Sequence, residues 1–327
     1  MMLLAAGLLY RLWSEDQSMF RILLLITLIY LFTRGNRSAF RRNAVGLLLF
    51  LMLIFFGLGM TNWQDYLPEL PDDDRSSVRL REVKADSLGN KPDSLFIHEA
   101  DWRDFESNHF EGEYITSLRQ VLQSERFHRS LADMETPNEV NKYWKSIYQL
   151  LAQNDSRKLD SLVEFFRIRS KALDMSPAQT AEMVVTFIQN IPYVLIHEGS
   201  CAEAVSSGNA FMAEYHQQGK VCVAGVVAGV QSPYEFAHDL KGDCDTRSLL
   251  AYTILRAMKI PCSVWISQAY GHSILGVGLP AGGQNYKVVN GVRHFGVELT
   301  ATGFRLGMIA PDQTEMDNWG VIVYSNF

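Results

Sequence analysis

The chain has 327 residues, of which 47% are hydrophobic and 20% charged, with 30 basic and 36 acidic residues. Beyond residue 61 the imbalance is sharper, at 24 basic against 34 acidic residues and a net charge of −10. A surface this acidic argues against binding of nucleic acid or anionic lipid headgroups. The length of residues 62–327 suffices for one good core, or for one core with a small appended lobe.

Residues 1–61 are predicted to be a membrane anchor with two transmembrane helices. Residues 44–60 are seventeen uncharged apolar residues, which is long enough to cross a bilayer. The segment 19–33 is shorter, but Arg21 and Arg34 bracket its apolar part and can snorkel to the interfaces. A second span is therefore favoured over an interfacial or signal-like segment.

The charges around these two segments predict the orientation of the chain. Residues 34–42, between the spans, carry four arginines and no acid, whereas acids cluster in residues 65–74. Because arginine-rich loops remain on the cytoplasmic side, residues 62–327 are expected outside the cytoplasm, in the periplasm if the cell is Gram-negative.

Residues 62–108 are predicted to be an acidic linker that precedes a catalytic domain at 109–327. The linker has two prolines near its start, clustered acids and little apolar periodicity, which indicates a segment lying over the surface or partly disordered. Residues 111–131 fit either a strand or a loose helix. Three helices with apolar stripes are predicted next, at 138–153, 157–172 and 177–191.

A cysteine opens the most strongly helical stretch, residues 244–258, where Asp243 is a plausible N-cap. In the first turn the sulfur of Cys244 would face unpaired backbone N–H groups, which favours the thiolate. The flanking acids oppose the thiolate, so that His272 as imidazolium, with Arg247 as a further cation, would have to offset them. The alternative is a buried structural cysteine, against which the two acids argue.

After this helix the apolar pattern changes to period two, which predicts five strands at 260–268, 272–279, 286–289, 294–300 and 321–324. Gly282-Gly283 and Asn290-Gly291 are predicted turns. Helices followed by an antiparallel sheet, with the Cys244 helix packed on that sheet, indicate an α+β fold.

Three blocks resemble those of the transglutaminase-like superfamily, most closely its bacterial cysteine peptidases. They are Gly242-Asp-Cys-Asp-Thr-Arg247, Gly271-His-Ser-Ile-Leu-Gly-Val277 and Gly296-Val-Glu-Leu-Thr300, and Ser232-Pro-Tyr-Glu235 resembles a stretch common upstream of the nucleophile. The resemblance covers roughly residues 180–310. It implies a papain-like α+β core and a Cys-His-Asp triad, with Cys244 as nucleophile, His272 as base and Glu298 where aspartate is usual. It also implies peptide or protein substrates, and no cofactor is expected.

The remaining cysteines have separate predictions. Cys201 and Cys222 are expected to pair in an oxidising compartment and to staple the loop between them, with free thiols as an alternative. A zinc site that adds His197 and His216 to these cysteines is a further alternative, although its spacing matches no common pattern. Cys262, beside a proline in a predicted strand, is expected in the core.

Other side chains compete for roles at the site. His238 and His294 are alternative bases, but His238 lies just before the nucleophile and His294 lacks small neighbours such as those of His272, so structural roles are favoured. An oxyanion donor in addition to the Cys244 N–H is expected from upstream, with Gln189, Tyr193 and Tyr234 as candidates.

The sequence therefore predicts a membrane-anchored thiol enzyme that acts on amide bonds outside the cytoplasm. Its thioester would go to water or to an amine, with water as the default acceptor. The alternative is a catalytically silent binding or scaffold domain, which the glutamate in the third position and the acids around Cys244 support. A redox protein is disfavoured because the chain has no Cys-x-x-Cys motif.

Overall fold

The structure is a computed structural model, and it describes residues 78–88, 91–134, 140–206, 210–325 and 327. The fold is α+β, with helices and mainly antiparallel sheets. These residues all belong to the second of the two units into which the chain divides, residues 66–327. The predicted anchor at 1–61, with its spans at 19–33 and 44–60, lies outside the described residues. Within the described ranges no helix is both long and apolar enough to cross a bilayer.

Eight α-helices occur in the described residues. They are α1 (Leu118–Arg129), α2 (Val140–Asp155), α3 (Asp160–Ala172), α4 (Pro177–Gln189), α5 (Cys201–Ser206), α6 (Ala210–Gln217), α7 (Pro233–Asp239) and α8 (Cys244–Ala257). The helices predicted at 138–153, 157–172, 177–191 and 244–258 correspond to α2, α3, α4 and α8 with small shifts at their ends. Ser176 caps α4 through a capping box with Gln179, and proline is its first residue, as local sequence predicts.

The ten described strands form three sheets. They are β1 (Val78–Leu88), β2 (Lys91–Arg103), β3 (His109–Ser117), β4 (Leu195–Ile196), β5 (Cys222–Val223), β6 (Cys262–Ser267), β7 (His272–Val277), β8 (Tyr286–Val289), β9 (Val292–Val297) and β10 (Gly320–Tyr324). The first sheet has the order β1-β2-β3, the second β10-β6-β7-β9-β8, and β4 pairs with β5. The first two are antiparallel throughout, and β4–β5 is parallel.

The prediction of a linker at 62–108 is wrong for the part of it that forms β1 and β2. These strands pair with each other and with β3, so the sheet begins well before residue 109. Trp102 of β2 is buried against Phe110 of β3 and against Phe165 and Phe187 of the helices behind the sheet. The exposed face of β1 and β2 is rich in charged residues, and this masked the apolar face in the sequence.

The helix that carries Cys244 packs on the five-stranded sheet. Leu249, Leu250 and Ile254 of α8 are fully buried, and they share one core with Val264 of β6 and Leu275 of β7. Asp243 caps the helix, since its side chain accepts a hydrogen bond from the Thr246 backbone N–H at 3.2 Å. This packing holds the first turn of α8 near the end of the sheet at which β7 begins.

Candidate active site

Cys244 is the first residue of α8 and is 8% exposed. Its thiol donates a hydrogen bond to Oδ2 of Asp245 at 3.7 Å, and the backbone N–H of Ser273 faces the sulfur. Ser273 follows His272 at the start of β7, so the helix and the strand bring Cys244 and His272 to the same place. The thiol's hydrogen bond in this arrangement goes to Asp245.

His272 and Glu298 form a buried pair beside this thiol. Nε2 of His272 lies 2.7 Å from Oε2 of Glu298, and Glu298 is 3% exposed. The other carboxylate oxygen, Oε1, accepts hydrogen bonds from the backbone N–H of Leu299 at 2.9 Å and of Thr300 at 2.8 Å. The Thr300 hydroxyl also donates to Oε1, at 2.7 Å. A solvent-facing role for Glu298, which strand alternation alone allowed, is therefore excluded.

The hydrogen bond to Glu298 assigns the two ring nitrogens of His272 to different roles. An ionised Glu298 can only accept, so Nε2 of His272 carries the proton that joins them. In the neutral ring Nδ1 is then the unprotonated nitrogen. Gly271 has a positive φ of 57°, and a Cβ atom built there would meet no atom within 4 Å, so there is open space next to the imidazole.

Electrostatics within the site favour a charged His272–Glu298 pair. Burial lowers the pKa of His272, but the hydrogen bond and charge of Glu298, followed by the charges of Asp245 and Asp243, outweigh it and raise the pKa. Burial raises the pKa of Glu298, yet its bonds to His272 and Thr300 hold that pKa below its ordinary value. The histidine thus stays protonated to higher pH than a free imidazole.

The thiol of Cys244 behaves differently from what its helix position predicts. Burial raises the pKa of Cys244 well above its ordinary value, and the charges of Asp245 and Asp243 raise it further. The N–H of Ser273 lowers it, but by less. The pKa of the resting thiol is therefore shifted in the direction opposite to the one that its place at the helix terminus predicts, because desolvation and two adjacent acids disfavour the thiolate.

A carboxyl–phenol contact beside the nucleophile was not found from the sequence. The hydroxyl of Tyr148 on α2 donates a hydrogen bond to Oδ1 of Asp245. Burial raises the pKa of Asp245, whereas the bond to Tyr148 and the charge of His272 lower it. The apolar pattern of α2 did not predict that the hydroxyl of one of its aromatic residues donates a hydrogen bond to a buried carboxylate.

Arg247 is fully buried and connects three segments around the site. Its guanidinium donates to the carbonyl oxygens of four residues: Gly242 at 2.9 Å, Ile188 at 2.9 Å, Ile191 at 2.6 Å and Leu299 at 3.1 Å. Burial lowers the pKa of Arg247 to about 10, so the side chain remains charged at neutral pH. Its observed contacts tie the end of α4, the turn before Cys244 and the segment that carries Glu298.

Two of the three proposed oxyanion donors are engaged elsewhere. The side-chain amide of Gln189 donates to the carbonyl oxygens of Glu298 at 2.7 Å and Phe304 at 2.8 Å, so it supports the backbone of the acid. The hydroxyl of Tyr234 bonds Gln120 at 2.7 Å and the Ser117 N–H at 2.8 Å, on the far side of α7. Tyr193 is left, and its ring lies 5.6 Å from the Arg247 guanidinium.

The competing histidines have structural contacts. Nδ1 of His238 lies 2.9 Å from the hydroxyl of Thr116, and Nδ1 of His294 lies 2.9 Å from the hydroxyl of Ser263. Burial lowers the pKa of His294 to about 4, so it is neutral at neutral pH. Cys262 is fully buried, as predicted for a core cysteine.

Cys201 and Cys222 form a disulfide that closes a segment next to the site. The segment contains α5 and α6, although its sequence showed no strong element, and Cys222 lies in β5 beside Leu195 of β4. With both sulfurs in this bond, the zinc site that included His197 and His216 is excluded. In the described parts of the chain no cluster of three metal-binding side chains occurs.

Comparisons with known proteins give no evidence about function, so that evidence has to come from the site. No protein-family model, no curated protein and no solved structure matches the chain. The likeness to transglutaminase-like peptidases therefore rests on the three sequence blocks, and the chemistry has to be argued from the geometry of Cys244, His272 and Glu298.

Proposed function

We propose that the protein is a thiol hydrolase or acyl transferase that acts on amide bonds of peptides or proteins through Cys244, His272 and Glu298. The observation that carries this proposal is the hydrogen bond between His272, at the start of β7, and Glu298, just after β9, beside the helix that begins at Cys244 and packs on β7. The nucleophile, its base and an orienting acid on separate elements are what acyl transfer requires. A papain-like core of the transglutaminase-like type is part of the same proposal.

In the proposed reaction the Cys244 sulfur attacks the amide carbonyl carbon and forms a C–S bond. The thiol proton passes to Nδ1 of the neutral form of His272, because Nε2 already donates to Glu298. On collapse of the tetrahedral intermediate the C–N bond breaks, and His272 returns the proton to the leaving amine. Water activated by His272 then cleaves the thioester, or an amine takes the acyl group instead.

The raised thiol pKa makes proton transfer to His272 part of the reaction rather than a property of the resting protein. A thiol that gives its hydrogen bond to Asp245 has to turn toward His272 before attack. Tyr148 and Asp245 would stabilise the imidazolium that forms, since the charge of Asp245 raises the pKa of His272. Glu298 would therefore orient His272, and the carboxylate of Asp245 would help to stabilise its protonated form.

We also propose that the enzyme is held at a membrane by residues 1–61, with residues 62–327 outside the cytoplasm. The apolar segments and the arginine-rich loop between them support this location. The disulfide between Cys201 and Cys222 supports it independently, because such bonds persist in oxidising compartments. Peptides or proteins outside the cytoplasm are then the substrates within reach.

One observation favours a second candidate, a catalytically silent binding or scaffold domain. Cys244 is 8% exposed and its pKa is raised by burial and by two acids, which is typical of an inert cysteine. The buried and fully bonded Glu298 would then serve to hold the end of β9. The two candidates differ in whether Cys244 reacts with a carbonyl.

The experiment is a comparison of Cys244→Ala with Cys262→Ala in the full-length protein. Hydrolysis would be followed with quenched fluorescent casein, and transfer would be followed by incorporation of dansylcadaverine into casein. We expect Cys244→Ala to lose at least about 10³-fold in whichever reaction occurs, and Cys262→Ala to retain it. A wild-type protein indistinguishable from Cys244→Ala in both assays, with iodoacetamide alkylating Cys244 no faster than free cysteine, would establish the silent domain.

A further inference from the structure

The proposed attack on a carbonyl needs two hydrogen-bond donors for the oxygen that becomes negative. Cys244 begins α8, so its backbone N–H has no intrahelical partner and can supply one of them. We propose that the hydroxyl of Tyr193 is the second donor of an oxyanion hole, held in place by the disulfide-closed segment. This inference rests on the proposed function and adds a catalytic residue to it.

The backbone of Tyr193 lies beside the turn that leads into the nucleophile. Tyr193 forms a parallel β-bridge with Gly242, and the next N–H, that of Val194, donates to the Gly242 carbonyl at 3.2 Å. Gly242 precedes Cys244 by two residues. The side chain of Tyr193 therefore starts next to the N-terminal end of α8.

The ring of Tyr193 lies beside the side chain of Arg247, which belongs to the first turn of α8. The guanidinium of Arg247, one turn along the helix from Cys244, lies 5.6 Å from the ring centroid. Burial raises the pKa of the Tyr193 hydroxyl, and the charges of Cys244 and Asp243 raise it further. A phenol with a raised pKa keeps its proton and remains a donor at neutral pH.

The disulfide-closed segment, residues 201–222, contacts both the backbone and the ring of Tyr193. The hydroxyl of Tyr215 on α6 lies 3.0 Å from the carbonyl oxygen of Tyr193 and 2.8 Å from that of Val221, which precedes Cys222. The rings of Tyr215 and Phe211 contact the Tyr193 ring at centroid distances of 5.7 and 6.0 Å. These contacts involve the backbone and ring of Tyr193 and leave its hydroxyl for a substrate oxygen.

Two other donors near the site, the Tyr148 hydroxyl and the Gln189 amide, are occupied. Tyr148 donates to Asp245, and the amide of Gln189 donates to two backbone carbonyls. In the proposed step the C–S bond forms, the carbonyl π electrons move to oxygen, and the thiol proton goes to His272. The oxygen then accepts from the Cys244 N–H and from Tyr193, and it returns its electrons when the C–N bond breaks.

The test uses Tyr193→Phe, which keeps the ring contacts and removes only the hydroxyl. Tyr252→Phe, which changes a buried tyrosine on α8 two turns beyond Cys244, is the matched control. A panel of N-acetyl dipeptide aldehydes would be measured for protection of Cys244 from iodoacetamide, because the resulting hemithioacetal places its oxygen in the oxyanion hole. Alkylation by iodoacetamide alone builds no oxyanion and reports the intrinsic reactivity of the thiol.

We expect Tyr193→Phe to weaken aldehyde affinity and to lower casein turnover by about 10²-fold, while the alkylation rate without aldehyde stays within about twofold of wild type. Tyr252→Phe should match wild type in all three measurements. Unchanged aldehyde affinity in Tyr193→Phe, with a wild type that binds aldehydes, overturns this inference alone. A wild type that no aldehyde protects and that does not differ from Cys244→Ala in either casein assay overturns the proposed function as well.

Discussion

Oε2 of Glu298 lies 2.7 Å from Nε2 of His272, while Oε1 of the same carboxylate holds two backbone N–H groups and the Thr300 hydroxyl. The two oxygens have separate tasks, since one orients the imidazole and the other fixes the chain that carries the acid. This division allows a substitution that changes the first task and leaves the second intact.

Glu298→Gln is expected to lower turnover by about 10³–10⁴-fold with little loss of stability. The amide oxygen can still accept the three bonds at Oε1, and the amide NH₂ then takes the place of Oε2. It would donate to Nε2 of His272 and force the ring proton onto Nδ1, which removes the base. The pKa of His272 should fall, because the charge of Glu298 raises it. Histidine titration by NMR and the pH–rate profile measure both effects.

The matched control is Glu235→Gln, which alters another buried histidine–carboxylate pair away from the site. Nδ1 of His128 lies 2.9 Å from Oε2 of Glu235. Turnover should be retained in this variant, although its thermal stability falls because Glu235 also caps α7. Equal turnover in Glu298→Gln and wild type would exclude Glu298 from the mechanism.

Asp245→Asn is expected to make Cys244 more reactive toward iodoacetamide at pH 7. The charge of Asp245 is the second cause, after burial, that raises the pKa of the thiol, and the asparagine oxygen can still accept from Tyr148. Thiolate should increase about tenfold for each unit by which the thiol pKa falls. The pH dependence of the alkylation rate gives that pKa directly.

Asp239→Asn is the control for Asp245→Asn, because Asp239 is a buried acid outside the site whose pKa burial raises to about 7. Its alkylation profile should coincide with that of wild type. If Asp245→Asn gives the same profile too, then the carboxylate does not hold the thiol proton.

Removing the disulfide with Cys201→Ser and Cys222→Ser together is expected to lower stability by about 3 kcal/mol, given the 21-residue separation. Turnover should fall as well, because Tyr215 and Val221 position Tyr193 from this segment. In a Tyr193→Phe background the same double change should lower turnover much less. Fully additive losses in turnover would show that the segment acts on the site by another route.

The contribution of His98 to the free energy of unfolding should decrease as the pH falls below about 6.5. Burial holds the pKa of His98 well below its ordinary value, so the unfolded chain binds the proton before the folded protein does. Each proton taken up preferentially on unfolding lowers stability by about 1.4 kcal/mol per pH unit. His294, whose pKa burial lowers to about 4, contributes in the same direction.

The thermal stability of wild type relative to His98→Phe should therefore fall between about pH 6.5 and 5. Phenylalanine can keep the stacking on Tyr114, where the ring centroids are 4.6 Å apart, and Thr116 keeps its contact with His238. Melting temperatures over this range measure the effect. Parallel curves for the two proteins would mean that His98 does not titrate with unfolding.

Local signals in the sequence were enough to predict α2, α3, α4 and α8 and the strands of the second sheet. Ser176 and Pro177 mark the start of α4, and Asp243 marks the start of α8, because capping depends on neighbouring residues alone. Asn290 and Gly291 both have positive φ, as a tight hairpin turn requires, and they join β8 to β9. The sequence also singled out Cys244, at the start of a helix, and His272, on a following strand, whereas Glu298 was named through the resemblance of its block to the transglutaminase-like superfamily.

Tertiary structure decided what depends on partners distant in the chain. The strands at 78–103 were missed because their stability comes from pairing with β3 and from helices behind it, whereas their own residues are highly charged on one face. The contact of Tyr148 with Asp245 joins residues 97 positions apart. The ionisation of Cys244 was decided in the same way, because burial and adjacent charges, rather than its position in a helix, fix the direction of its pKa.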